Sequence, residues 1–596
     1  MNFVAIDYET YYDSDYSVGE LGPRAYTLDP RFEAPIVSVH GLDNSGNPVS
    51  VCVEPDQFDW DSISDCIWVS WNTNFDSTVH RRLIELGKVS HYPPEWHDAS
   101  HLSVFLCAGR SLKAASANLL GISLSKEVRD SMRGVRYSTL PDEEKQAWKD
   151  YAMTDSELCY DIWMRYKKLW PAEEMAISLH TLRMCERGVY IDIDRAVKYE
   201  KALIKQIERT GKDIPWVGKC NPKGVPYPPT SPKQIAKYCS DYGIPKPKTT
   251  NAKDPKFEKW FEDYGDKAPF VKAVQLFRRL NKLLKTVQTI IKRTDEHGRM
   301  EYGLFYFGAH TGRWSGSGGL NMQNIHRDAI KVGRTAVDIR SLIIPAPGKK
   351  FAVVDFAQIE CRVIFYLAND EAFLQECEKK SPYQAHAELT MGWKGGPLKK
   401  EDPDLYQLAK ARLLGLGFGC GAAKFVDVAR ILAGLKITLA EAEQCVRDYR
   451  ESNPKITRLW SQLNDSYKRS LHDTYEVELP SSRCLTYYGV VREEGKRFGY
   501  EYKSSTSMNG NKYKFYGGKL AENLVQACAR DVLRDCILRV EDSGFKVVMH
   551  VHDEIVVEVD DSSELATIEK LMKVVPEWLP GLPLDCEGAV MERYTK

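Results

Sequence analysis

Three carboxylates in the second half of the chain are candidates for chemistry at a phosphate. Asp553 and Glu554 interrupt the apolar run "KVVMHVHDEIVVEV" at residues 546–559, and Asp355 ends the apolar run "KKFAVVD". Alternating Val and Ile predict strands, and the polar break predicts a hairpin turn. Asp553 could serve only as a turn residue. Alternatively, acids at the ends of neighbouring strands could share two Mg²⁺ ions, which assist in-line displacement at phosphorus.

A segment between these acids combines a cation with two apolar residues. In "YQLAKARLLGLGFGCGAAKF", residues 406–425, Lys410, Leu414 and Phe418 are spaced four apart. This spacing predicts one shared face of a helix, with a charge for a triphosphate and apolar groups for a base. The alternative is a helix packed in the core whose lysine extends to solvent.

The N-terminal region carries a second set of acids. Asp7 and Glu9 alternate in the strand-like "AIDYET", so both side chains are predicted on one side of a strand. Asp76 follows in "SWNTNFDSTVH", and Tyr151 and Asp155 are one helical turn apart in "YAMTD". Each pattern alone is weak, because a chain with 83 acids produces such spacings by chance. Only the order of these patterns along the chain, taken together, can therefore indicate a function.

Five motifs occur in the order typical of one enzyme family. The chain resembles the family A DNA polymerases, the bacterial DNA polymerase I type, over roughly residues 175–596. The motifs are "DFAQIECR" from Asp355 to Arg362, the Lys410 to Gly419 segment, His552-Asp553-Glu554, "TGRWSGSGGLNMQNIHR" at 311–327 and "ENLVQACARD" at 522–531. Five ordered motifs make a chance match remote.

The resemblance implies a role for each motif residue. Asp355 and Asp553 would bind the metals, and Glu554 would be an auxiliary acid near the primer end. Lys410 would meet the triphosphate and protonate the pyrophosphate leaving group, and Glu360 would exclude a 2′-hydroxyl. Catalysis would then consist mainly of positioning and charge neutralisation. The remaining implied contacts are to the nucleotide, from Leu414, Phe418 and Tyr406, and to DNA, from Arg313, Asn324, Gln526 and His552.

Three residues of the nucleotide segment depart from the family pattern. The family usually has an aromatic residue at the position of Leu414, a tyrosine at Phe418 and an arginine at Tyr406. The missing arginine removes a fixed charge for the triphosphate, and the leucine removes a ring that could stack on the incoming base. The sequence therefore does not fix which nucleotides the enzyme selects. One alternative is that it replicates a genome with a modified purine such as 2-aminoadenine.

The order and spacing of the N-terminal acids resemble the three motifs of the 3′–5′ proofreading exonuclease domain that precedes this polymerase type. The resemblance implies that Asp7, Glu9, Asp76 and Asp155 bind two further metals and that Tyr151 orients the attacking water. All four acids are present, which favours an active nuclease. The alternative is a fold retained without activity.

Length and composition fit a multidomain globular protein. The chain has 596 residues, 43% of them hydrophobic and 28% charged, which is enough for two or more domains with their own cores. Its 15 cysteines include no C-x-x-C pair, which favours free thiols in a reducing compartment. There is no signal sequence and no apolar run of about 18 residues, so neither secretion nor a membrane span is expected.

The net charge of -1 does not by itself indicate a nucleic-acid-binding protein. Residues 272–293 are a local exception, since they carry seven Lys or Arg and no acid. This segment predicts an amphipathic basic helix that is either a solvated face or an element that follows phosphates. The apolar residues at helical spacing are Phe277, Leu280, Leu284, Val287 and Ile291.

The predicted protein is a phage-like replicative DNA polymerase of α/β and α+β multidomain fold, with proofreading. It would act as a monomer on primer-template DNA and dNTPs in the cytoplasm, that of a bacterial host if the chain is phage-encoded. The expected cofactor is Mg²⁺, two ions per active site, with Mn²⁺ as a substitute. No 5′-nuclease domain is expected before the first strand. The predicted segments are 1–165 for an RNase H-like exonuclease domain, 166–300 for connecting helices and thumb, 301–365 for the first part of the palm, 366–519 for the fingers and 520–596 for the second part of the palm.

Two other functions share part of this pattern. A single-subunit RNA polymerase would use a similar palm, but Glu360 and the exonuclease motifs argue against it. A catalytically idle DNA-binding or scaffold protein would have no reason to keep mutually repelling acids without metals. Comparing the incorporation of dNTPs and rNTPs separates the two polymerase classes.

Overall fold

The structure is a computed structural model that describes residues 1–124, 131–251, 254–495 and 499–595. These residues form two compact units. The first consists of Met1–Gly188, Glu301–Asn324 and Pro347–Met591, and the second of Val189–Met300, Ile325–Ala346 and Glu592–Lys596. Both acid clusters belong to the first unit, and the predicted domain boundaries stay predictions.

The N-terminal part of the first unit is built around a mixed five-stranded sheet. In chain order its strands are Phe3–Glu9, Ile36–Leu42, Pro48–Val53, Ile67–Ser70 and Trp96–Asp98. The spatial order is third, second, first, fourth and fifth, and the first strand is antiparallel to the second but parallel to the fourth. Val4, Ile6 and Trp68 are buried, and burial of such a side chain contributes about 1.5–3 kcal/mol. The strand with Asp7 and Glu9 is therefore the central strand.

Helices surround this sheet and carry the other N-terminal acids. The helix Asp142–Tyr166 has three acids in its first turn, which its dipole favours, and it packs on the central strand. It carries Tyr151 and Asp155 one turn apart, as predicted. The other helices here are Val18–Leu21, Pro23–Leu28, Thr73–Glu85, Ala99–Phe105 and Leu112–Ala115, with a π turn at Ser116–Leu120 and 3-10 turns at Pro55–Gln57, Trp60–Ile63, Tyr137–Thr139 and Lys167–Leu169.

A second sheet of the first unit, here the central sheet, has four antiparallel strands. In spatial order they are Lys546–Val551, Glu554–Val559, Lys350–Phe356 and Cys586–Met591. The first two confirm the predicted hairpin, with His552 and Asp553 in its turn. The predicted strand at 351–354 is also confirmed but is longer, so Asp355 lies within the strand rather than at its end. The predicted helix after it begins at Ile359 and ends at Leu367.

The rest of the first unit is mainly helical, and the long helix Gly517–Asp542 packs on the central sheet together with Glu564–Met572. Its other helices are Ala172–Arg187, Glu371–Cys377, Pro382–Thr390, Leu398–Glu401, Pro403–Ala411, Ala422–Ala433, Leu439–Ser452 and Pro454–Arg469. A further antiparallel sheet contains Tyr475–Glu478, Cys484–Glu494, Tyr500–Ser505 and Tyr513–Lys514, and a two-stranded sheet contains Gly303–Phe305 and Ser315–Ser317.

A buried ionic cluster joins two of these helices. The carboxylate of Glu174 accepts hydrogen bonds from Arg530 and, at 2.8 Å, from Arg534. Asp531 in turn accepts from Arg483 at 3.0 Å. Burial alone would raise the pKa of Glu174, but the three guanidinium groups outweigh it and lower the pKa to about 2. Because each charge is paired, loss of any one would leave an uncompensated buried charge.

The described residues of the second unit form four helices, a three-stranded sheet and a two-stranded sheet. The helices are Ile193–Lys212, Pro232–Asp241, Pro255–Tyr264 and Pro269–Arg293, and the short elements are Val189–Ile191, Arg299–Met300, Ile330–Val332, Thr335–Val337, Arg340–Leu342 and Ile343–Ile344. The last long helix confirms the predicted basic helix at 272–293. Of the predicted apolar residues, Leu280 and Val287 are buried, and the other three are half-buried. Leu283 and Ile290 are also buried.

Within the residues that the structure describes, no helix is both long enough and apolar enough to cross a membrane.

Candidate active sites

The central sheet brings Asp355 and the turn of the 546–559 hairpin together. Asp355 lies directly opposite Glu554 in the antiparallel ladder, and the backbone N–H of Phe356 donates to the Asp553 carbonyl at 3.2 Å. Directly opposite residues of an antiparallel pair have side chains on the same face. The three acids predicted from the sequence are therefore neighbours, held by backbone hydrogen bonds.

Asp553 sits in a crowded electrostatic environment. Burial, followed by the negative charges of Asp355 and Glu360, raises its pKa to about 7, while Arg313 acts in the opposite direction. Arg313 also forms an ion pair with Glu360. The residue predicted to exclude a 2′-hydroxyl and a residue predicted to contact DNA thus touch each other beside the acids.

The predicted DNA contacts are distributed unevenly around this cluster. Arg313, His552 and Asp553 line one small cavity of about 30 Å³. Gln526 donates to Glu522 at 3.3 Å within the long helix, and Asn324 is exposed in the 3-10 turn Met322–Asn324. Their roles stay predictions.

The nucleotide segment is less regular than the sequence predicts. Lys410 lies in the helix Pro403–Ala411, Leu414 lies in the π turn Arg412–Leu416, and Phe418 follows its end. The predicted regular helix is interrupted by this π turn, which is wider than an α-helix, and the shared face of the three residues stays a prediction. All three are nevertheless half-buried, whereas 411–413 and 415–417 are buried.

Two tyrosines line the start of this segment. The ring of Tyr406 packs edge-on against Tyr383 at 5.5 Å between centroids, and the Lys399 ammonium lies 6.0 Å from the Tyr406 ring. Burial raises the pKa of Tyr383, and Cys361, Tyr406, Asp553 and Glu360 add to the shift. Tyr383 therefore belongs to the site, although no sequence motif pointed to it.

The end of the nucleotide segment contacts the start of the long helix through backbone alone. A Cβ on Gly518 would lie 2.3 Å from the carbonyl oxygen of Phe418, and a Cβ on Gly517 would lie 2.1 Å from that of Trp460. Neither distance leaves room for a side chain. Glycine is therefore required at both positions.

The N-terminal sheet and its helices bring together the second set of acids. Asp7 and Glu9 lie on the central strand, Asp76 on the helix Thr73–Glu85 and Asp155 on the helix Asp142–Tyr166. The carboxylate of Asp76 accepts from the backbone N–H of Tyr8 at 3.3 Å, between the two strand acids.

The pKa shifts of these groups reflect burial and mutual repulsion. Burial, then the charge of Asp155, raises the pKa of Asp7 to about 8. Burial, then Asp7, raises the pKa of Asp76 well above its usual range. The pKa of Tyr151 is raised by burial, by Asp155, with which it shares a hydrogen bond, and by Glu9. The predicted residues thus form one electrostatic cluster.

Both clusters have the donor chemistry that a divalent cation requires. Buried carboxylates whose pKa values are raised by one another lower their free energy when a cation is placed between them. Oxygen-only donors also suit Mg²⁺ better than softer metals. Among the described residues, no set of three or more His, Cys, Asp and Glu side chains is arranged as a ready metal cage. Metal binding at both sites therefore remains a prediction.

One polar residue of the 311–327 motif, to which the sequence analysis gave no role, contacts the hairpin turn directly. Gln323 donates from Nε2 to the His550 carbonyl at 2.8 Å, and its Oε1 accepts from the His552 N–H at 3.0 Å. It is the residue before Asn324 in the "NMQN" segment. Its position inside a recognised motif was a signal, but the partner 229 residues away could not be inferred.

The sequence is similar to those of known DNA polymerases. The family model for DNA polymerase family A matches residues 218–595, and the chain belongs to this family. The DNA polymerase of Bacillus phage SP02 is 27% identical over 100% of both chains, and DNA polymerase I of Aquifex aeolicus is 28% identical over 71% of this chain and 67% of its own. The resemblance seen in the motifs is confirmed, and the class of enzyme is DNA-directed DNA polymerase.

A solved structure has the same fold. The POL domain of Pol1 from M. smegmatis, in complex with DNA primer-template and dNTP, matches with a TM-score of 0.67 and 16% identity. The match covers 99% of this chain and 95% of that chain. At this identity the likeness concerns the fold alone.

Proposed function

We propose that this chain is a template-directed DNA polymerase that adds dNTPs to a primer 3′ end at the central sheet and removes mismatched 3′ ends at the N-terminal sheet. The observation that carries the proposal is the register of the central sheet. It places Asp355 opposite Glu554 and joins the N–H of Phe356 to the carbonyl of Asp553. Two Mg²⁺ ions bound there would activate the primer 3′ oxygen and stabilise the leaving oxygen.

The residues around the acids support selection of substrate. The Glu360 carboxylate, oriented by Arg313, would occupy the space that a 2′-hydroxyl needs. Half-buried Lys410, Leu414 and Phe418 would offer a charge and two apolar surfaces to the triphosphate and the base. Positioning and charge neutralisation of this kind are the main requirements of phosphoryl transfer.

The N-terminal cluster supports a proofreading role. Asp7, Glu9, Asp76 and Asp155 would hold two further metal ions, and the Tyr151 hydroxyl, hydrogen-bonded to Asp155, would orient the attacking water. The raised pKa values of Asp7 and Asp76 support this role, because a cation would relieve the repulsion that burial intensifies.

The full-length match to a phage DNA polymerase supports a replicative enzyme of phage type. Three residues of the nucleotide segment, Tyr406, Leu414 and Phe418, depart from the family pattern. The proposal therefore includes an enzyme that replicates a genome with a modified purine.

A labelled primer tests the proposal directly. On a matched template with Mg²⁺ and dNTPs we expect extension, and on a mismatched template we expect removal of the 3′ nucleotide before extension. EDTA should stop both reactions. Equal extension with rNTPs would favour an RNA polymerase, and neither reaction would favour a DNA-binding scaffold. Replacing dATP by its 2-aminoadenine analogue tests the purine preference.

A further inference from the structure

The strand Lys546–Val551 is an edge strand of the central sheet, and the side chain of Gln323 occupies part of its open edge. The order of the sheet leaves this strand with one strand neighbour, Glu554–Val559. The outward backbone groups of an edge strand have no partner in the sheet. Gln323 supplies one, since its amide bonds the carbonyl of His550 and the N–H of His552.

The geometry of this contact imitates a strand. In a parallel ladder, one residue donates to the carbonyl of one neighbour and accepts from the N–H two residues further along. The Nε2 and Oε1 atoms of Gln323 do this at 2.8 and 3.0 Å, using one side-chain amide in place of a peptide. His550 Nδ1 also lies 3.3 Å from Nε2. The contact therefore flanks Val551, the last residue of the strand, and holds the N–H of the first turn residue, His552.

Gln323 is itself held in place, so it can support the turn. Its side chain is buried, with 5% exposure. Its backbone N–H donates to Asn321 Oδ1 at 3.0 Å, and the N–H of Asn324 donates to the Asn321 carbonyl at 3.1 Å. Asn321 packs against Gly316, where a Cβ would lie 2.4 Å from the Asn321 Cα.

The turn needs such support because its first residue has an unfavourable backbone conformation. His552 has a φ of 57°, in the left-handed region that non-glycine residues seldom adopt. Such conformations persist only where the surroundings determine them. The next residue is Asp553, whose carboxylate must stay beside Asp355 for both to bind the same ions.

We propose that Gln323 is a positioning residue that holds the hairpin turn so that Asp553 faces Asp355. This inference rests on the proposed polymerase function. Gln323 would not touch the reacting atoms. Its loss should weaken metal binding more than it weakens the chemistry at saturating metal, because residues that orient ligands typically change metal affinity by about 10- to 100-fold.

Two substitutions separate the two hydrogen bonds. Gln323→Met keeps a similar size and removes both bonds, whereas Gln323→Glu keeps an acceptor for the His552 N–H and loses the donor to His550. Gln444→Met, on the exposed face of the helix Leu439–Ser452, is the matched control. Thermal unfolding checks the fold of each variant. If Gln323→Met does not fold, Gln323→Asn replaces it, because the shorter side chain cannot reach both partners.

Hydrogen exchange at the His552 amide gives a readout that does not depend on activity. Loss of one hydrogen bond should accelerate exchange there by about fivefold or more in Gln323→Met. Exchange in Gln323→Glu and Gln444→Met should stay near wild type. Unchanged exchange in a folded Gln323→Met variant would overturn the positioning role.

Metal titration gives the second readout. In Gln323→Met the Mg²⁺ concentration for half-maximal primer extension should rise by about 10-fold, with kcat at saturating Mg²⁺ within about threefold of wild type. Mn²⁺ binding followed by EPR should weaken in parallel. A lower kcat with unchanged metal dependence would instead make Gln323 a DNA contact. If the wild-type chain extends no primer, the proposed function fails, and the exchange experiment still tests the contact itself.

Discussion

The two acid clusters of the first unit are assembled in different ways. In the N-terminal cluster one strand supplies Asp7 and Glu9, and two separate helices supply Asp76 and Asp155. In the central sheet Asp355 and Glu554 lie opposite each other on adjacent strands, and Asp553 lies in the turn next to Glu554. The first arrangement depends on how helices pack against a sheet. The second depends on the register of one hairpin and on the conformation of the turn that carries Asp553.

The electrostatics of the two clusters are similar despite this difference. Burial and a neighbouring acid raise the pKa of Asp7 to about 8 and that of Asp553 to about 7. Glu541 behaves in the opposite way. Burial alone would raise its pKa, but His180 and Arg187 outweigh burial and lower it to about 2. Acids whose neighbours are acids thus differ in the direction of their pKa shift from an acid that is paired with cationic side chains.

The largest expected effect is the loss of primer extension in Asp355→Ala or Asp553→Ala. Removing one acid loosens both metal ions, so extension should fall by about 10²-fold or more, while the fold and the 3′-end degradation remain. Exposed Asp560→Ala, just beyond the same hairpin, is the control. Extension by either mutant at more than a few percent of the wild-type rate would contradict the assignment.

The double variant Asp7→Ala, Glu9→Ala should produce the reverse pattern. Degradation of single-stranded 3′ ends should fall by about 10²-fold, because two of the four proposed metal-binding acids are removed, and extension of matched primers should stay near wild type. Glu54→Ala, exposed just after the third strand of the same sheet, is the control. Persistent degradation would show that the nuclease lies elsewhere, and loss of extension would show that the two clusters are not independent.

Glu360→Ala should have a smaller effect, confined to the choice of sugar. Removing the carboxylate opens the space for a 2′-hydroxyl, so the ratio of rNTP to dNTP incorporation should rise by about 10-fold or more. Single-nucleotide incorporation measured with matched dNTP and rNTP pairs checks this. An unchanged ratio would mean that the Glu360 and Arg313 pair serves another purpose.

The smallest expected effect is on stability and belongs to Glu541→Gln. Its pKa falls from 4.5 to about 2 on folding, so its contribution is present above pH 4.5 and disappears as the pH falls towards 2. Urea unfolding at pH 7 should show a loss of at most about 3 kcal/mol, and the loss should shrink between pH 4.5 and pH 2. Exposed Glu577→Gln controls for the loss of one charge. A loss that does not change with pH would contradict the pairing.

The elements around the sites could be predicted from local patterns. Alternating apolar residues predicted the 546–559 hairpin, and helical spacing predicted the helix with Tyr151 and Asp155. The neighbourhood of Asp355 and Asp553 followed from the chemistry that both acids would need. The first two predictions use patterns that extend over a few residues. The third uses the requirements of a known type of reaction.

The contacts that tune the sites could not be predicted. Gln323 and His552 are 229 residues apart, and the Arg313 and Glu360 pair spans 47 residues. The pattern of apolar residues around Arg412–Leu416 is the one that a regular helix would show, so periodicity alone cannot reveal the π turn. Leu283 and Ile290 join the predicted Leu280 and Val287 on the buried side of the basic helix, because tertiary packing decides how far the buried side of an amphipathic helix extends.

Gly517 and Gly518 have a mechanical consequence for the enzyme. The backbone of Phe418 meets the first turn of the helix Gly517–Asp542 with no side chain between them. Side chains can absorb small displacements by changing rotamers, whereas two backbones in contact cannot. A shift of the Phe418 carbonyl would therefore press directly on the backbone of this helix of 26 residues, which carries Gln526 and is held by the Glu174 ionic cluster.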